Sequence, residues 1–479
     1  MSRVLSVSVL GAALAAAVGF SEEGFPLRCL GKITPRHAKQ IAASNWSVGA
    51  ETMDRDFTVY KHWREHLGPL GVKKARIQAG WAKTEKQAGH YDWTWLDEII
   101  PDMVDQGVEP WVCLCYGNPI YPGGGGTGLG GDLPSTPEAL AAWDRFVAAF
   151  VDRYKAHVDE WEVWNEPRTG RGQGAIRYAR FVARTAETVR ACQPEARVIF
   201  AAGGAFDIAF VEQVLAWLRD QNQLGLVDEV AYHPYAPNPD TSYAAVERLR
   251  QVVLSFSPKI GLRQGENGCP SQPGSFGALA KHAWTESAQA KWALRRLLGD
   301  LGRDIPSSYF SICDMHYPDR LNSKGLLATN PDKTVRHRKP AYRAVQHVTA
   351  VFDGSVERIK DFEWTISGAG AGSRFSAFAY RAPGGTIVTL WRSSDEPDKR
   401  PEIEYVALAI RRGGFREPVW VDMLSGEVYD LGDRGKRHGE GFVFERLPVY
   451  DSVVLIADRK AIGAISDRPA ASPGRTPDP

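Results

Sequence analysis

The sequence predicts an α/β fold, a (β/α)8 TIM barrel followed by a small C-terminal antiparallel β-sandwich. Three observations carry that expectation. Short apolar runs alternate with amphipathic helical patterns between residues 41 and 352, and strand–helix alternation implies a parallel sheet with right-handed crossovers. Eight such units over that length suit a closed barrel. Beyond residue 353 the rhythm becomes alternating strand-like runs with turn residues between them, the pattern of a sandwich. An open doubly wound sheet is the alternative, but no glycine-rich dinucleotide fingerprint follows the first strand.

Taken in order, residues 1–20 read as a secretory signal. Arg3 supplies the positive charge, Val4 to Phe20 is apolar or small, and Ala15-Ala16-Ala17 and Ala17-Val18-Gly19 offer cleavage sites. The apolar run is short for a membrane span and no second one of that length follows, so no stable membrane insertion is expected after cleavage, an uncleaved anchor being the alternative. A secreted or periplasmic location follows. Residues 21–40 read as a linker or first surface segment. The candidate strands are then Trp46–Gly49, Ala75–Gln78, Pro110–Leu114, Trp161–Trp164, Val198–Ala201, Glu229–Tyr232, Ile260–Arg263 and Tyr309–Ile312. Helical patterns between them include Trp95–Met103, Pro137–Tyr154, Ala175–Ala191 and Ser287–Leu301. The sandwich is placed at 353–459, with strands such as Phe375–Tyr380, Thr386–Trp391 and Ser452–Ile456. The tail 460–479, rich in Pro, Ala, Ser and Asp, reads as disordered.

Composition excludes some functions. The formal net charge of the 479 residues is +1, which leaves no electrostatic footprint for a nucleic-acid partner. Cys29, Cys113, Cys115, Cys192, Cys269 and Cys313 contain no CxxC pair, so no structural zinc is expected and buried free thiols are the default. The run Gly123-Gly124-Gly125-Gly126, continued by Gly128 and Gly130-Gly131, lacks the Lys-Ser/Thr of a phosphate loop. It reads either as a tight or mobile wall after the third strand, shaping a subsite, or as a plain flexible loop.

The chemistry resides in two carboxylates. Trp164-Asn165-Glu166-Pro167 follows the fourth candidate strand and Gly265-Glu266-Asn267-Gly268 follows the seventh. Active-site groups project from the C-terminal ends of barrel strands, and strands four and seven face one another across the mouth. Two opposed carboxyl groups are what glycosidic cleavage requires, one to protonate the leaving oxygen and one to attack the anomeric carbon. The attacking group must stay ionised, and Arg76 on the second strand is the candidate cation. Glu162 and Glu85 are acidic decoys nearby.

These motifs resemble the clan A glycoside hydrolases. The segment from Gln78-Ala79-Gly80-Trp81 through Gly89-His90-Tyr91-Asp92-Trp93 adds to the likeness, which covers about residues 43 to 350 and is greatest to family 39 and its unassigned relatives. The resemblance implies a retaining double displacement on a carbohydrate substrate without metal or organic cofactor. It implies Glu166 as acid/base and Glu266 as nucleophile, with Asn165 on the sugar 2-hydroxyl. His233 and Tyr235 would line the site and orient the nucleophile, and Tyr116, Asn118 and Tyr121 would bind the non-reducing sugar. Trp164 is placed as a subsite platform. The sequence departs from the pattern at Ser311–His316, where many clan members carry a Trp, and at Asn267-Gly268 after the nucleophile. Those departures leave the sugar open, as they leave exo or endo action and oligomeric state. A non-catalytic carbohydrate-binding protein on the same fold is the alternative.

Overall fold

A computed structural model describes residues 27–466 except 399 and 401. The eight parallel strands of a closed barrel are β1 (Trp46–Gly49), β2 (Lys74–Gln78), β3 (Glu109–Leu114), β4 (Glu160–Val163), β5 (Arg197–Ala201), β6 (Glu229–Tyr232), β7 (Gly261–Asn267) and β8 (Ser307–Tyr309), with β8 closing on β1. The expected α/β architecture is therefore present. Boundaries moved by more than one residue at two strands. The seventh extends to Asn267, so Glu266 lies within it and not after it. The eighth runs from Ser307 to Tyr309, earlier than the expected Tyr309–Ile312. Between Gln264 and Asn267 the β7 chain advances three residues while β8 advances two, from Ser307 to Tyr309. Such a bulge re-aims the side chains at a strand end.

The helices match their apolar patterns. Pro137–Tyr154 starts with Thr136 Oγ1 accepting from Ala139 N and with proline at its first position, both preferred at a helix start. Its inward face of Trp143, Phe146, Phe150 and Tyr154 packs on the barrel. The helix Glu286–Leu301 is buried on all sides, Lys291, Arg295 and Arg296 included. A helix enclosed all round lies between two packed bodies, here the barrel and the sandwich.

The sandwich comprises an eight-stranded and a four-stranded antiparallel sheet. Trp364–Ser367, Glu404–Ile410, Gly441–Val449 and Gly435–His438 form the smaller. The larger holds two strands that the sequence reading assigned elsewhere. Cys29–Ile33, in the stretch read as a linker, pairs with Glu427–Asp430 and with Ile465–Ser466. Ile465–Ser466 in turn lies within the stretch 460–479 read as a disordered tail. Both segments are too short for period-two alternation to register, and each is stabilised by a partner more than 390 residues distant in the chain. The signal segment 1–20 and residues 467–479 lie outside the described residues. Among the described residues no helix is long and apolar enough to cross a membrane, and all six cysteines are free.

Candidate active site

The site lies at the C-terminal ends of the barrel strands, and its centre is Arg76. The fully buried guanidinium donates from Nε to Glu162 Oε2 (2.7 Å), from Nη1 to Glu51 Oε1 and Glu266 Oε2 (both 3.0 Å), and from Nη2 to Asn165 Oδ1 (2.9 Å). Period-two alternation explains the set. Arg76 on β2 and Glu162 on β4 point into the barrel, and Glu51 enters two residues beyond the end of β1. Trp111 on β3 closes the layer below, its ring 5.4 Å from the guanidinium carbon.

The Trp164–Pro167 turn aims the first carboxylate. Trp164 and Glu166 have φ of 66° and 44°, left-handed values that cost a non-glycine residue about 1–3 kcal/mol and gather at functional sites. The turn breaks the strand alternation. It sends Trp164 outward and turns Asn165 and Glu166 toward the mouth. Trp164 thereby packs edge-on against Tyr116, Trp143 and Phe181 and is buried. It supports the turn from behind and offers no face to a ligand, contrary to the platform role expected from sequence.

Glu166 Oε1 lies 2.9 Å from His233 Nδ1. Glu266 Oε1 accepts from the Tyr235 hydroxyl at 2.7 Å, and His233 Nδ1 is 3.9 Å from Glu266 Oε2. One carboxylate oxygen each of Glu166 and Glu266, with a ring nitrogen of His233, lie within 4.8 Å of one another. Tyr235 is therefore the residue that orients Glu266, while His233 bonds to Glu166 and bridges the pair. The three groups meet the minimum donor count of a metal site. Glu266 is already bonded to Arg76 and Tyr235 and Glu166 to His233, and the Arg76 charge opposes a further cation at this point.

Electrostatics separate the groups. Burial by itself would raise the Glu266 carboxyl, but His233, Arg76 and the Tyr235 hydrogen bond outweigh it and leave its pKa below the ordinary value. Burial would lower His233, but the charge of Glu266 and the hydrogen bond to Glu166 bring it above the ordinary histidine value. Burial pushes Glu51 up to about 7, against the pull of Arg76 and with the repulsion of Glu266.

The remaining candidates divide. Tyr116 is buried, and its hydroxyl accepts from Asn165 Nδ2 at 2.7 Å, so it holds the Asn165 amide in place. Asn118 and Tyr121 do not join the site. Asn118 Nδ2 donates to the Glu85 carbonyl and its Oδ1 accepts from Ile120 N, while the Tyr121 hydroxyl donates to Glu85 Oε1. Their polar groups are consumed in bracing the loop after β3. His316 bonds Thr329. The glycine run folds tightly back on that loop, with Gly117 N donating to Gly126 O and Asn118 N to Gly124 O. A Cβ on Gly124 would lie 1.9 Å from the Asn118 carbonyl oxygen, so this is the tight wall of the two readings.

Sequence reasoning missed Glu51, Arg55 and Lys324. Glu51 stands past the end of the first strand, where its place at the mouth was the available signal. Lys324 follows β8 and is fully buried. Its Nζ donates to Phe276 O (3.2 Å) and Asn322 Oδ1 (3.4 Å), and burial pushes it down to about 8, with Glu266 opposing.

No family model matches the chain, and no curated protein does. Solved structures do. A family 39 glycoside hydrolase from Bacteroides cellulosilyticus WH2 aligns over 87% of this chain and 81% of its own, at 19% identity and a TM-score of 0.58. A monomeric beta-xylosidase from Caulobacter crescentus CB15 aligns over 90% and 97%, at 17% identity and a TM-score of 0.56. A family 30 subfamily 8 xylanase from Clostridium acetobutylicum aligns over 89% and 97%, at 12% identity and a TM-score of 0.53. The chain shares with these enzymes the architecture of a barrel joined to a sandwich.

Proposed function

We propose that this protein is a retaining glycoside hydrolase that cleaves O-glycosidic bonds of oligo- or polysaccharides through a covalent glycosyl-enzyme. One observation carries the reading: carboxylate oxygens of Glu166 and Glu266 lie within 4.8 Å of each other at the barrel mouth. Retaining enzymes hold their two carboxyl groups about 5–5.5 Å apart, whereas inverting ones leave about 6.5–9.5 Å for a water. Fold neighbours that are themselves described as family 39 and family 30 glycosidases support the same reading.

In the first step Glu166 gives its proton to the glycosidic oxygen as the bond to C1 breaks. Glu266, kept ionised by His233, Arg76 and Tyr235, forms the new bond to C1. In the second step Glu166 takes a proton from water, the water oxygen bonds C1, and Glu266 leaves as a carboxylate. Asn165, its carbonyl held by Arg76 and its amide by Tyr116, is placed to bond the sugar beside C1.

A panel of aryl glycosides and oligosaccharides, run with Glu266→Ala and Glu166→Ala, tests this. Azide should restore turnover to Glu266→Ala and give a glycosyl azide of inverted configuration. Sugar binding unchanged by either substitution, with no turnover of any substrate, would favour the non-catalytic binding protein instead. Arg3 and the apolar Val4–Phe20 run further support export. N-terminal sequencing of the protein recovered outside the cytoplasm should then begin after Ala17 or Gly19.

A further inference from the structure

Arg55 is held as few surface arginines are. It lies between two rings, its guanidinium carbon 4.9 Å from the centre of Tyr116 and 5.6 Å from that of Phe57. Nε donates to Asp54 (3.2 Å) and Nη2 to Gln78 Oε1 (2.6 Å). Nη1 makes no hydrogen bond to any described residue, and the side chain is 16% exposed. A Cβ on Gly128, in the wall formed by the glycine run, would lie 3.6 Å from that nitrogen.

Two residues along the same wall, a Cβ on Gly130 would lie 3.7 Å from Arg168 Nη1. Arg168 follows the Glu166 turn, and its one ion-pair contact among the described residues is Glu166 Oε2 at 3.8 Å. The glycine wall thus runs past both guanidinium groups, Arg55 stacked on the Tyr116 ring whose hydroxyl bonds Asn165, and Arg168 two residues beyond Glu166. The other acidic groups nearby are already engaged, Asp54 by Arg55 and Glu51 and Glu162 by Arg76.

We propose that the part of the cleft beneath residues 123–131 is an anion subsite, in which Arg55 and Arg168 hold the carboxylate or sulfate ester of an acidic saccharide. The stacked, doubly anchored Arg55 loses little freedom on binding, and a planar guanidinium matches either oxyanion with paired N–H donors. The proposal rests on the glycosidase reading for its substrate but not for its test.

The experiment is calorimetric titration of Glu266→Ala with two matched pairs: an oligogalacturonide against its carboxyl-reduced form, and a sulfated galactan oligosaccharide against its desulfated form. The charged member of one pair should bind about tenfold to a hundredfold more tightly, the span of one charge-assisted hydrogen bond. Which pair discriminates names the oxyanion. Adding Arg55→Gln or Arg168→Gln should abolish the preference and leave binding of the neutral member unchanged, while Arg55→Lys keeps part of it. Equal affinity within both pairs would overturn the proposal. So would an Arg55→Gln effect equal on both members, since Arg55 would then merely support Gln78 and Tyr116. Acidic preference without turnover of any acidic glycoside by the wild type would sink the glycosidase reading and spare the subsite. Azide-rescued cleavage of neutral glycosides without acidic preference would do the reverse.

Discussion

At the scale of single residues, the site is organised by one buried cation with more acceptors than charge. Arg76 faces three carboxylates, and removing one partner of a buried ionic cluster costs about 3–5 kcal/mol because the others lose compensation. Arg76→Gln should therefore lower the melting temperature as well as the rate, measurable by calorimetry beside kinetics. Tyr235→Phe is the gentler probe. It deletes one hydrogen bond that holds Glu266 below the ordinary carboxylate range. With that bond gone the nucleophile takes up its proton at a higher pH, so the acid limb of kcat/KM should move upward while the fold is kept. An unmoved limb would show that Tyr235 does not tune Glu266.

At the scale of elements, the helix Glu286–Leu301 decides how the two bodies hold together. Arg295 donates to Asp240 (2.7 Å) and Asn238 (2.8 Å) on the barrel side and to the Asp395 carbonyl (2.9 Å) on the sandwich side. Asp240 also accepts from Trp391 Nε1 at 3.0 Å. Lys291 reaches Asp451 at 2.7 Å. These are buried pairs, so Asp240→Ala strands Arg295 and should cost about 3–5 kcal/mol. Denaturant unfolding should then separate into two transitions as the barrel and the sandwich lose their shared clamp. A single transition at an unchanged midpoint would argue that apolar packing alone joins them.

At the scale of the whole molecule, the barrel floor and the domain junction set the response to acid. Around the N-terminal ends of the strands Glu160 and Glu229 bind Lys74, Arg197 and Arg263. Burial alone would raise Glu160, but Arg263 and Lys74 bring it down to about 2. A depressed carboxylate contributes stability above its unfolded value near 4.5 that is lost as pH falls toward 2, here about 3 kcal/mol. His347, between the barrel's last helix and Met423 O, is lowered by burial to about 4. A histidine held neutral makes the fold less stable as pH falls from about 6.5 to 4, because only the unfolded chain takes up the proton. The Glu160 contribution should thus be lost below pH 4.5, while between 6.5 and 4.5 His347 destabilises the fold and Glu51, raised to about 7 and so protonated first in the folded chain, opposes it. His347→Gln should remove the destabilising part of that upper range and leave the loss below pH 4.5 unchanged in melting curves taken across pH.

Much of this was legible in the chain. Alternating strand and helix periods specified the barrel, because period two and period 3.6 are imposed by local backbone geometry and by which face must leave water. The Trp164–Pro167 and Gly265–Gly268 segments marked the paired carboxylates, because both lie at strand ends that a closed barrel turns toward one mouth. Arg76 could be named from the same strand logic. What the sequence did not determine depends on contacts between distant parts of the chain. Trp164 sits beside a catalytic motif in sequence and Asn118 and Tyr121 follow the third strand, yet a reversed φ sends the first outward and Glu85 takes polar groups of the other two. Arg55 carries no local signal, since its role arises from Tyr116, Gln78 and the glycine wall, which only the fold brings to it. The strand Cys29–Ile33 exists only because it pairs with Glu427–Asp430, and Ile465–Ser466 only because it pairs with Cys29–Ile33. Local periodicity is written within a few residues, whereas a hydrogen-bond partner is chosen only once the tertiary fold has brought both groups out of water together.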